Sequence, residues 1–250
     1  MSPFAIGCIA FVFVFGAALL GMVLRSRLPE HHLASESRDA IKLATAIIGT
    51  LSALALGLLI ASAKRSFDDA GADRRTSAAR VLLLDRVMAH YGPETQALRM
   101  NLRKVLAERL SAEEKAVERD VPLAEGFDVE VIQDGLRNLA PQNEGQRSLQ
   151  ARALQVSGDI AEARWVRTET EVGGFPMPFL AVLILWFVLL FTSFGLLAPS
   201  NGTVVLTLLV CALSVSAALV LIIDMDHPYL GFIRISDMPF RTALDRMGQL

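Results

Sequence analysis

Cysteine and histidine are scarce in this chain: 250 residues hold two and four of them. Their placement speaks against disulfides and metal sites alike. Cys8 and Cys211 fall inside long apolar runs, where a cysteine acts as a small packing residue. In Glu30-His31-His32 the two imidazoles point apart on a helix or a strand, and no third ligand stands near. Asp68, Asp69 and Asp73 lack the spacing of a calcium loop and read as a solvated helix face. An excess of charge of one sign is missing as well. The formal net charge is -2 and the isoelectric point about 6.1, with both signs mixed, so no basic face invites a nucleic acid. There is no Gly-rich phosphate loop, no His-Glu-x-x-His and no Gly-x-Ser-x-Gly, which leaves an enzyme reading without support. No cofactor is expected.

What the chain does have is apolar length. It is 53% hydrophobic and only 20% charged, with mean hydropathy +0.45. Ionisable residues are absent from positions 3–24, 43–63, 173–202 and 203–223, each stretch matching the roughly 20 apolar residues that bridge a bilayer. The expected organisation is all-α and polytopic. Transmembrane helices cover 4–24, 41–63, 176–198 and 203–223, a short connector 25–40, a helical cytoplasmic domain 64–172 and a C-terminal tail 224–250. Met1-Ser2-Pro3 lacks a basic leader, and Arg25 and Arg27 follow the first run directly, so the run reads as a retained anchor in the lipid bilayer.

The second span is sorted by size. Thr45, Gly49, Ala53, Gly57 and Ala61 form an i+4 row of small residues, and Ile47, Leu51, Leu54 and Leu58 lie opposite. Small rows let helix backbones approach in lipid, which makes this helix a central packing element. It is expected to run on past Lys64 and Arg65, since no proline interrupts it before Pro93. The helical domain shows 3.6-residue periodicity throughout. Val81, Leu84, Val87 and Tyr91 lead to a stop at Gly92-Pro93; Leu98, Leu102, Val105 and Leu106 mark a second helix. A loop is expected over 122–127 and a short helix over 129–139. After a turn at 141–145, a longer helix carries Leu149, Ala153, Val156, Ile160 and Ala163. These stripes need burial, against one another or against neighbouring copies. Ser200-Asn201-Gly202 allows only a tight turn, so spans three and four form a hairpin.

Four spans place both termini and the helical domain on one side. Lys64, Arg65, Arg74, Arg75, Arg164, Arg167, Arg234 and Arg241 favour that side as cytoplasmic, against Arg25, Arg27, Arg38 and Lys42 on the first connector. No ionisable group interrupts a span, which disfavours ion-coupled transport. A passive pore or a membrane anchor for the helical domain remains.

Leu28-Pro29-Glu30-His31-His32, the run Gly57 to Lys64, Leu84-Asp85-Arg86 with His90-Tyr91-Gly92-Pro93, Phe194 to Asn201, and Asp224 to Gly231 with Ile235-Ser236 together resemble the bestrophin-like family of bacterial membrane proteins. The resemblance implies a bacterial inner-membrane protein and a homo-oligomer, a pentamer by analogy. It further implies a channel for inorganic anions such as chloride, with the second span lining the pore. Either the bulky row or the small row faces the axis. Asp224 and Asp226 end the fourth span, as headgroup neighbours or as a gating or ion contact.

Overall fold

A backbone buried in lipid must satisfy its own hydrogen bonds, and for a single charge-free run the α-helix does so within the segment. In a computed structural model, which describes residues 3–29, 34–119, 129–170, 177–226 and 233–247, no strand occurs among the described residues. Eight α-helices follow in order: α1 Pro3–Arg27, α2 Ser35–Tyr91, α3 Gln96–Arg119, α4 Glu130–Arg137, α5 Glu144–Thr170, α6 Met177–Leu197, α7 Gly202–Met225 and α8 Met238–Met247. Four of them, α1, α2, α6 and α7, are long and apolar enough to cross a bilayer. Glu30-His31-His32, the loop at 122–127, Gly173-Gly174, Pro176, Tyr229 and Phe232 lie outside the described residues.

The chain divides into two compact units, Met1–Ser66 with Phe175–His227, and Phe67–Gly174 with Pro228–Leu250. In the first, α1 packs against both α6 and α7. Its core joins Ala10, Val14, Ala17 and Ala18 of α1 to Leu183, Phe187 and Leu190 of α6 and Ala212 and Leu219 of α7. Apolar side chains gain little by leaving lipid for one another, so tight packing has to hold such a bundle. Here it comes from glycine. A Cβ on Gly21 would overlap the carbonyl oxygen of Thr192 and lie 2.9 Å from the amide nitrogen of Leu196. A Cβ on Gly195 would overlap the Ala18 carbonyl and lie 3.0 Å from the Met22 nitrogen. The α1 and α6 backbones therefore touch at two reciprocal points. Arg25 closes the same end, donating from Nη1 to the carbonyl of Leu197 at 3.0 Å, a last-turn acceptor that a cation suits. At the turn before α7, Asn201 caps the helix by accepting from the Val204 amide at 2.9 Å.

The second unit folds around one water-driven core. The apolar stripes close on one another: Val81, Leu84 and Met88 of α2 meet Leu102 and Leu106 of α3, Ile132 and Leu136 of α4, and Val156 of α5. Gly92 makes the α2–α3 corner at φ 136°, a conformation that disfavours a side chain. Thr95 braces the corner by donating to the carbonyls of Met88 at 2.5 Å and Gly92 at 2.9 Å. Below it, Arg99 reaches from α3 to Asp85 on α2 at 2.8 and 3.1 Å. That hydrogen bond, more than the burial opposing it, holds the Arg99 guanidinium above its ordinary pKa.

The C-terminal stretch belongs to this core, because Phe240 and Met247 of α8 are buried in it. A charge cluster accompanies them. Arg74, 1% exposed, donates through Nη2 to Glu113 Oε1 and to Asp237 Oδ1, both at 2.5 Å. Phe240 lies beneath it, with the Arg74 and Arg109 guanidinium carbons 5.5 and 5.3 Å from the ring centroid. Such a cation is tolerated only because two carboxylates and an aromatic face replace its water.

Two stability predictions follow from these contacts. Gly21→Leu or Gly195→Leu has no space to occupy and is expected to cost on the order of 2 kcal/mol or more, as overpacking does; a lowered melting temperature in detergent reads it. Arg74→Met leaves Glu113 and Asp237 facing each other without a cation, an expected loss of about 3–5 kcal/mol. The double variant Arg74→Met with Glu113→Leu should recover part of that loss in the same thermal assay.

Candidate functional site

The membrane half of α2 stands apart from the other spans. Only 11% of its most apolar window is buried, against 39% for α1 and 33% for each of α6 and α7. Its inward face is narrow. Thr45, Ser52 and Ala63 are buried, and Ile48, Gly49, Ala55, Leu56 and Leu59 half-buried. Four of these, Ile48, Ala55, Leu56 and Leu59, pack on the core formed by the other spans. Thr45 and Thr50 return their hydroxyls to the carbonyls of Ile41 and Ala46 at 2.7 and 2.9 Å, so neither is an unsatisfied polar group.

The opposite face is open over its whole length. Ile47, Leu51, Leu54 and Leu58 are 55%, 45%, 63% and 64% exposed. Their spacing of four, three and four residues averages close to the helical repeat, so they stay on one line. The small row behaves differently. Four residues turn a helix through one revolution plus about 40°, so an i+4 row winds around the axis instead of holding one side. Thr45 is accordingly buried and Gly49 half-buried, with the Leu190 side chain 3.7 Å from where a Cβ would sit. Ala53, Gly57 and Ala61 have come round into the open, and nothing lies within 4 Å of a Cβ on Gly57. The central packing element expected from that row is thus, within one chain, the span with the largest free surface. The closest helix contact is made by Gly21 and Gly195, which the periodicity of α2 could not reveal.

Asp224 and Asp226 sit at the far end of α7. Asp224 is 2% exposed in the last turn, and Asp226 is half-buried at the C-cap, its amide donating to the carbonyl of Ile222 at 3.2 Å. A carboxylate at a helix C-terminus opposes the dipole, so their position is not explained by α7 alone. Among the described residues no three His, Cys, Asp or Glu side chains group as a metal site would require. Cys8 and Cys211 are free thiols on exposed positions of α1 and α7.

Residues 12–240 match the family model of the bestrophin-like domain, a range that takes in nearly all of α1, every helix from α2 to α7 and the start of α8. No curated protein and no solved structure matches the chain.

Proposed function

Since the chain belongs to the bestrophin-like family, we propose that it assembles as a homo-oligomer around a passive ion-conducting path lined by α2, with small anions as the permeant species. The carrying observation is the free apolar face of α2, continuous from Ile47 to Leu58 and turned away from the helices of its own chain. A ring of copies would bring these faces together around an axis. Ala53, Gly57 and Ala61, open on the flank, suit close approach of the next copy. An apolar wall of this kind conducts when wetted and closes by dewetting. The charge-free spans fit a channel better than a coupled transporter. By family analogy the ring has five members, and the positive charge beside the spans orients both termini and the helical unit to the cytoplasm of a bacterial inner membrane.

A competing role, a helical interaction domain held at the membrane by its spans, is favoured by the complete core of the second unit. Flux and assembly separate the two. Purified protein in liposomes is expected to release chloride, and Leu54→Ser, which makes the wall easier to wet, to raise that flux several-fold. Gly57→Leu is expected to leave the single chain folded while weakening its assembly in nanodiscs, read by native mass spectrometry. A monomer with no flux at any voltage or calcium concentration would overturn the channel reading and assign the anchor role.

A further inference from the structure

The open face of α2 does not end in another leucine. Continuing the line of Ile47, Leu51, Leu54 and Leu58 at helical spacing leads to Ala61 and then Arg65, both exposed. Seven residues separate Arg65 from Leu58, two turns and about 10 Å along the same unbroken helix. The neighbouring cation falls elsewhere. Lys64, also exposed, stands seven residues beyond Gly57 and so continues the flank of small residues, roughly 100° around the helix from Arg65. Each candidate pore face therefore carries its own basic residue, and the two cations report on which face meets the axis.

We propose, resting on the channel reading above, that Arg65 forms a ring of positive charge at the helical-domain end of the conducting path and makes that path select small inorganic anions over cations. The bulky face has the regular spacing and lies opposite the packed residues of α2, which puts Arg65, and not Lys64, toward the axis. A ring of guanidinium groups beside an apolar wall raises the local anion concentration and repels cations. Arginine suits the position because it stays charged at every working pH and is weakly hydrated, so a passing anion is not held by a tight hydration shell. Along the chain Asp68 and Asp69 come one turn later, which leaves Arg65 as the first charge on this line beyond the apolar wall. A mere interfacial anchor for phospholipid headgroups would ask the same of Lys64 and Arg65 alike.

The full-length protein in planar bilayers under a potassium chloride gradient tests this through the chloride-to-potassium permeability ratio. Arg65→Gln is expected to lower the ratio about tenfold, the low end of what a charge-lined mouth does to counter-ion concentration. Arg65→Glu should lower it further, Arg65→Lys should retain most of it, and Lys64→Gln should leave it unchanged. Equal oligomer size on gel filtration shows that each variant is folded. A conducting wild type whose ratio ignores Arg65→Glu, or responds equally to Lys64→Gln, overturns the proposal while sparing the channel. A wild type that never conducts overturns the channel reading and this inference with it.

Discussion

The contact on which the membrane unit depends is the one made without side chains. At Gly21 and Gly195 the backbones of α1 and α6 meet so closely that a methyl group on either would overlap a carbonyl oxygen of the other helix. In water a core of leucines would hold helices together by excluding solvent, but lipid is as apolar as leucine and supplies no such drive. Dispersion between surfaces in full contact must do it instead, and that contact is closest where Cβ atoms are missing. Gly7 repeats the device against α7, where Val220 occupies the space a Cβ would need. With α1 fixed to both α6 and α7, these three helices bury one another, and α2 joins them along a single narrow face. The free surface of α2 is a consequence of where the glycines are.

The helical unit obeys the other solvent. Its stripes of Leu, Val and Ile collapse because water expels them, and its charges enter the interior only in company. Arg74, with Glu113, Asp237 and the Phe240 ring around it, ties three segments that lie far apart in sequence. Arg241 and Glu114 add an exposed pair along the same α3–α8 seam, worth little by itself in water. What keeps α8 in place is thus the burial of Phe240, Ala243 and Met247 together with Arg74, rather than the surface pair.

Much of this was readable from the residues because the strongest signals are local. Four charge-free runs become four spans, Gly92-Pro93 stops α2 at Tyr91, and the stripe from Leu149 to Ala163 lies within α5. What escaped reading depends on partners distant in sequence. Gly21 and Gly195 look like ordinary glycines in apolar runs, since nothing near either names the other. Arg74 reads as one more solvated charge on a polar helix until α3 and the C-terminal stretch close over it. α8 was missed for a different reason: ten residues are few, although Phe240, Ala243 and Met247 at spacings of three and four carry the helical signature. The family match covers residues 12–240, in keeping with the motifs quoted from the first connector onward.

The small row of α2 shows why size sorting has to be read with the geometry of the helix. Thr45, Gly49, Ala53, Gly57 and Ala61 look like one surface when written at intervals of four, yet each step rotates the row by about 40°. Over its length the row passes from the packed side to the open side. The bulky residues, with a three-residue step between Leu51 and Leu54, correct that drift and remain aligned. Only a row that holds its azimuth can present a uniform wall to an axis, whereas a row that winds can serve two neighbours in turn, the helices of its own chain at Thr45 and Gly49 and another surface at Gly57. The two rows are therefore not rivals for one role. Their different periods suit them to different contacts, and the bulky row is the one whose period fits a continuous lining.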